Sequence, residues 1–123
     1  MTASKPLAVV IEPSPALADT VADALVFRKF EVIVSTTHLG AAKLASTRHR
    51  VDFLAAAVPA PGEDRSGAYL SDARARSPEL AVVIMLADPD EDISGAPPSA
   101  VRLVKPFSRQ DLDRAVDQAL GNS

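Results

Sequence analysis

Residues 101–112 read VRLVKPFSRQDL. Val101–Val104 is a short strand, and Ser108 opens a helix soon after it. Asp111 stands at the third helical position, so Ser108 and Asp111 form a capping-box-like pair. Leu112, Val116, Ala119 and Leu120 then recur at helical spacing and give that helix an apolar stripe. The stretch is thus one strand running into one helix, and the rest of the chain repeats the unit.

Working back from it, Leu80–Leu86 (LAVVIML) is the strongest strand signal in the chain. Asp52–Val58 (DFLAAAV) is another apolar run, ended by Pro59-Ala60-Pro61-Gly62, and Glu31–Ser35 (EVIVS) is another strand. The first strand is Leu7–Ile11 (LAVVI), stopped by Glu12-Pro13-Ser14-Pro15. A run this short, bounded by prolines, predicts a strand buried on both faces. Between them the period changes. Leu17, Val21, Ala24 and Leu25 follow helical spacing, with Asp19, Asp23 and Arg28 assigned to the opposite side. Ser14 suits the N-cap of that helix and Pro15 its first position. Leu39–Thr47 reads as a weaker, Ala-rich helix, and Gly67–Arg76 carries Leu70 and Ala73 at helical spacing. Strands alternating with helices predict an α/β parallel sheet covered on both faces, with right-handed crossovers. In such a sheet the working site lies at the carboxyl ends of the strands. The ends to inspect are Glu12-Pro13, Ala57-Val58, Ala87-Asp88 and Lys105-Pro106.

Composition narrows the function. The 123 residues suit one domain, 1–123, with its core at about 7–120. With one Tyr, four Phe and no Trp, the core must be built of Val, Leu, Ile and Ala. No cysteine is present, which removes disulfides, thiolate nucleophiles and Cys-type zinc sites. The net charge is −3, and no basic stripe marks a nucleic-acid binder; the Arg48-His49-Arg50 cluster reads as a solvated helix end. No apolar run approaches the ~20 residues of a membrane span. His38 and His49 are isolated from any second metal ligand. The five glycines make no nucleotide-binding pattern.

The strand ends carry a resemblance to the response-regulator receiver family, CheY-like domains, over about Leu7–Leu120. VRLVKPFSRQDL resembles the family's last strand, its Lys-Pro-aromatic turn and the start of its last helix. VVIEPSP resembles the first strand with its acidic turn. VDFLAAAVPAPGED resembles the third strand and the Pro-Gly loop after it, and VVIMLAD the fourth strand. The resemblance implies a flavodoxin-like (βα)5 three-layer sandwich with a five-stranded parallel sheet and a cis bond at Lys105-Pro106. A full helix is expected between the fourth and fifth strands. Here the acidic, proline-rich Asp88–Ser99 contains Pro97-Pro98, so that fourth helix should be short or missing.

The family's chemistry is phosphoryl transfer from a phosphohistidine to an aspartate, beside a divalent metal held by that aspartate and an acidic pair on the first strand. Carried over position by position, few of its parts remain. Glu12 matches the first acidic position and Pro13 falls on the second. Ala57 falls on the phosphoacceptor, Ala87 on the phosphate-binding hydroxyl, and Arg102 on the aromatic switch position. Lys105 is retained, followed by Pro106 and Phe107. An alanine cannot carry phosphate and one carboxylate makes no tight magnesium site, so neither metal nor cofactor is expected, and no catalysis. Lys105 is expected to pair with Glu12 in a structural role; the competing reading is an anion clamp. Asp52 reads as a polar residue at the start of its strand, far from the site. Asp64 and Asp88 sit in turn-rich loops, where Asp serves backbone hydrogen bonding more often than chemistry.

The resemblance therefore implies a pseudo-receiver: a cytoplasmic, phosphorylation-independent module of bacterial two-component or phosphorelay signalling that works by protein–protein interaction. Its expected partner is a sensor histidine kinase or another signalling protein, with no nucleic acid and no membrane, and its expected state a monomer or weak homodimer. Two alternatives stand beside it. One is a phosphorylatable receiver with a displaced acceptor at Asp64, Asp88 or Glu12. The other is a small-molecule-binding flavodoxin-like module or enzyme.

Overall fold

A computed structural model describes residues 6–35, 51–58, 80–88, 90 and 100–121. In chain order these form β1 (Leu7–Ile11), α1 (Pro15–Phe27), β2 (Glu31–Ser35), β3 (Phe53–Val58), β4 (Ala81–Leu86), β5 (Val101–Val104) and α2 (Arg109–Ala119). The predicted helices at 39–47 and 67–76 lie outside the described residues. So does most of 88–99, where the fourth helix was expected to be short or missing.

All four strand pairs are parallel, in one five-stranded sheet of order β2-β1-β3-β4-β5. That is the order of the flavodoxin-like α/β fold, which places a crevice between β1 and β3, where the chain reverses its direction of travel across the sheet. β1 and β4 are buried along their whole length, as their unbroken apolar runs predict. The edge strands β2 and β5 are only partly buried, and they are the ones whose sequences mix in Glu31, Ser35 and Arg102.

Side chains alternate between the two faces. Ala8, Val10, Phe53, Ala55, Ala57, Val83, Met85 and Leu103 face α1 and α2 and meet Val21, Leu25, Leu112 and Val116. On the opposite face Val9, Ile11, Leu54, Ala56, Val82, Ile84 and Leu86 are each at most 2% exposed, so that face is covered as well. Along β3 the first face runs from Phe53 through Ala55 to Ala57. At its amino end Phe30 and Phe53 pack with ring centroids 5.7 Å apart and planes inclined by 60°. At its carboxyl end stands Ala57.

Local chemistry sets the helix ends. Ser14 caps α1, its hydroxyl accepting from the Leu17 N–H, with Pro15 at the first position. Ser108 and Asp111 form the full capping box of α2. Lys29, at φ 74°, turns the chain from α1 toward β2.

Two polar residues have roles the sequence reading did not assign. Arg28, placed above on the solvent side of its helix, ties α1 to α2. Its guanidinium donates to Asp117 Oδ1 at 2.5 Å and to the Asp113 carbonyl at 3.2 Å. Helical spacing fails there because Arg28 is the C-cap, where the chain leaves the helix and the spacing no longer predicts direction. The signal was Asp113 and Asp117, two acids on one side of α2. Asp52 does start its strand, and it also binds the neighbouring one: Oδ2 accepts from the Leu7 N–H at 2.9 Å while the Asp52 N–H donates to the Leu7 carbonyl at 2.8 Å. Among the described residues no helix is long and apolar enough to cross a membrane.

Candidate functional site

The ladder brings the four inspected strand ends side by side. Ile11 pairs with Ala56 and Ala57 with Met85, so Glu12 and Ala57 lie next to each other at the β1–β3 crevice. Leu86 pairs with Val104, and the Lys105 N–H donates to the Leu86 carbonyl at 2.7 Å, which sets Ala87 beside Lys105. The parallel sheet alone thus collects residues distant in sequence at one edge.

Glu12 is 2% exposed and is the one buried charged residue among those described. Its N–H extends the β1–β2 ladder by donating to the Ser35 carbonyl at 3.0 Å. Oε2 accepts from the Ser14 N–H at 2.9 Å, so the carboxylate also shapes the turn into α1. Oε1 lies 2.6 Å from the Lys105 Nζ. That approach is off the hydrogen-bonding direction, so Oε1 is held by charge and has no directed donor. A carboxylate buried this deeply needs such compensation, because isolated charge in a protein interior costs several kcal/mol. The Lys105 side chain is 26% exposed, which keeps its ammonium partly hydrated.

The ion pair joins β1 to β5 across the ends of β3 and β4. The residues at those ends are Ala57, 2% exposed, and Ala87, exposed. Their single methyl groups leave the path of the long lysine side chain clear.

The remaining site residues fall around this pair. Pro13 is half-buried and supplies neither a side-chain oxygen nor an N–H. Lys105-Pro106 is a cis peptide bond, as the resemblance implies. Phe107 packs against the main core cluster. Arg102 is exposed on β5 and does not join the strand-end group. Asp88 is exposed, and its Oδ1 accepts from the Asp90 N–H at 2.9 Å in a local turn. Asp64, His38 and His49 lie outside the described residues.

The divalent metal of receiver chemistry does not fit this donor set. Glu12 is the one carboxylate at the crevice among the described residues, one of its oxygens faces an ammonium, and Pro13 and Ala57 add no ligand. A hard cation needs several oxygens, and no cluster of three or more metal-binding side chains exists among the described residues.

A response regulator receiver protein from Sinorhizobium medicae superposes with a TM-score of 0.83 at 18% identity, over 96% of each chain. The signal receiver domain of an HD domain-containing protein from Pseudomonas fluorescens gives 0.78 at 20% identity, covering 98% of this chain and 90% of that one. An orphan response regulator of H. pylori gives 0.72 at 16% identity, over 94% of this chain and 96% of that one. The fold is the CheY-like receiver fold. No protein-family model matches the sequence, and no curated protein does. The identity to these structures is 16–20%, so the likeness is one of fold.

Proposed function

We propose that this chain is a pseudo-receiver: a signalling module with the receiver fold that recognises protein partners and does not accept phosphate. The observation that carries the reading is the Glu12–Lys105 ion pair lying over an alanine end of β3. The lysine that would hold phosphoryl oxygens instead neutralises the remaining carboxylate. Its neighbours Pro13, Ala57 and Ala87 offer no acceptor, no second metal ligand and no hydroxyl. The aromatic switch position holds the exposed Arg102. A ligand shifts a conformational equilibrium only through differential interaction with its two states. With the covalent phosphate gone, the module presents one fixed surface. The reading places it in the cytoplasm, in bacterial two-component or phosphorelay signalling, as a monomer or weak homodimer without catalytic activity. Its partner is a sensor histidine kinase or another signalling protein, not nucleic acid or membrane.

The test is intact mass after incubation with acetyl phosphate and magnesium, with beryllofluoride titrated into the labelled protein and followed by amide NMR. The expected result is no phosphoryl adduct and no saturable shift at Glu12, Ala57 or Lys105. An adduct, or saturable shifts at those residues, would overturn the reading and direct attention to a displaced acceptor.

A further inference from the structure

β5 is an edge strand, paired on one side by β4. The Lys105 N–H points to β4, and alternate residues of a strand turn their N–H and C=O to the same side. Arg102 and Val104 therefore turn theirs outward, to the edge that no described strand pairs. Natural edges are commonly blunted by bulges or covering elements. Here an open groove of about 290 Å³ runs along β5, walled on its other side by Phe107, Asp111, Arg114 and Gln118 at successive turns of the α2 region. An edge strand with a helix alongside is the arrangement that accepts an extended peptide as an added strand.

Charge selects the occupant. Arg102 and Arg114 are both exposed, and neither has an ion-pair partner among the described residues. Asp111, the acid on the α2 side, accepts from the Ser108 N–H in the capping box and keeps its negative charge. The edge thus carries two arginines, one on each face of the sheet, against one acid, in a chain whose net charge is −3. Leu103 faces α2, so Arg102 projects on the opposite face of the sheet, whereas Arg114 stands on the α2 side. Consecutive residues of an added strand also point to opposite faces. Two adjacent acidic residues in such a strand would meet one arginine each. A second copy of this chain fits less well, because pairing β5 with itself about a two-fold axis would set these arginines against their own counterparts.

We propose that the open edge of β5 takes an extended acidic segment of a partner protein as a sixth strand, with two consecutive carboxylates held by Arg102 and Arg114. This names the partner chemistry of the recognition function above but uses a different surface from the strand-end pair.

The test titrates the full chain, isotope-labelled, with the fluorescein-tagged octapeptide GVIEEVTG and its charge-reversed form GVIKKVTG. Saturable shifts of the Arg102 and Val104 amides are expected with the glutamate peptide, and binding about tenfold weaker for the lysine peptide. The double variant Arg102→Glu/Arg114→Glu, at two exposed sites, should keep the parent amide spectrum elsewhere and reverse the preference. Equal binding of both peptides, or no shift at Arg102 and Val104, would overturn the proposal. So would a concentration-dependent dimer in sedimentation that moves those same amides. Acetyl phosphate is absent from the titration, so a phosphate adduct found separately would refute the pseudo-receiver reading and leave this result standing.

Discussion

Replacing Lys105 by methionine keeps the length of the side chain and removes its charge. Glu12, 2% exposed, would then hold a carboxylate with one directed donor, the Ser14 N–H, and no counter-charge. Two unit charges about 4 Å apart attract by about 4 kcal/mol at an effective dielectric of about 20. The 26% exposure of Lys105 lowers that gain, since the ammonium gives up only part of its hydration. We expect Lys105→Met to cost about 2–3 kcal/mol, below the ~3–5 kcal/mol typical when a fully buried pair loses a partner. Glu12→Gln keeps the shape and the Ser14 contact and loses the charge, and should cost about 1 kcal/mol. The double variant leaves no charge stranded, so it should be more stable than the sum of the single losses implies, by about 1–2 kcal/mol. The assay is urea unfolding at neutral pH with the denaturant slope unchanged between variants. A Lys105→Met protein within about 0.5 kcal/mol of the parent, or strict additivity in the double variant, would refute the account. Lys105 would then be dispensable to the fold and better read as an anion clamp.

Other outcomes follow from the same packing. Arg28→Ala removes both ties between α1 and α2 and should cost about 1–2 kcal/mol in urea unfolding, with Asp117→Asn costing less. Ser108→Ala opens the capping box of α2 and should cost about 1 kcal/mol, read as a lower thermal midpoint with unchanged global fold. Ala57→Asp restores an acceptor in name but buries a second carboxylate beside Glu12. It should lose at least about 2 kcal/mol and gain no phosphoryl mass with acetyl phosphate, because Pro13 and Ala87 are unchanged. Phe27 is 79% exposed at the end of α1, so Phe27→Ser should change stability by no more than about 0.5 kcal/mol.

Much of the fold was legible because local signals agreed with one another. Ser14-Pro15 and Ser108 with Asp111 marked helix starts, and the structure places caps at both serines. The site was legible in a different way. Position-by-position likeness named Glu12 and Lys105, and the same likeness picked out Pro13, Ala57 and Ala87, whose side chains carry no oxygen. Apart from the Glu12–Lys105 pair, which the likeness named, what escaped reading was polar contact between residues far apart in the chain. Arg28 looked like one more solvated charge until α2 arrived beside it, bringing Asp113 and Asp117. Asp52 read as a polar strand start, and nothing near it in sequence indicated that its carboxylate would accept from Leu7, 45 residues away.

By itself, then, the sequence determined the element types. Unbroken apolar runs such as LAVVI and AVVIML can be buried on both faces only as central strands, and the turn and cap residues mark where each one stops. Only the tertiary structure decided the order β2-β1-β3-β4-β5 and everything that depends on it. Hydrophobic periodicity says which face of an element is buried but not which neighbour buries it. The crevice between β1 and β3, the closing of Glu12 on Lys105 and the open edge of β5 all come from that choice of neighbours.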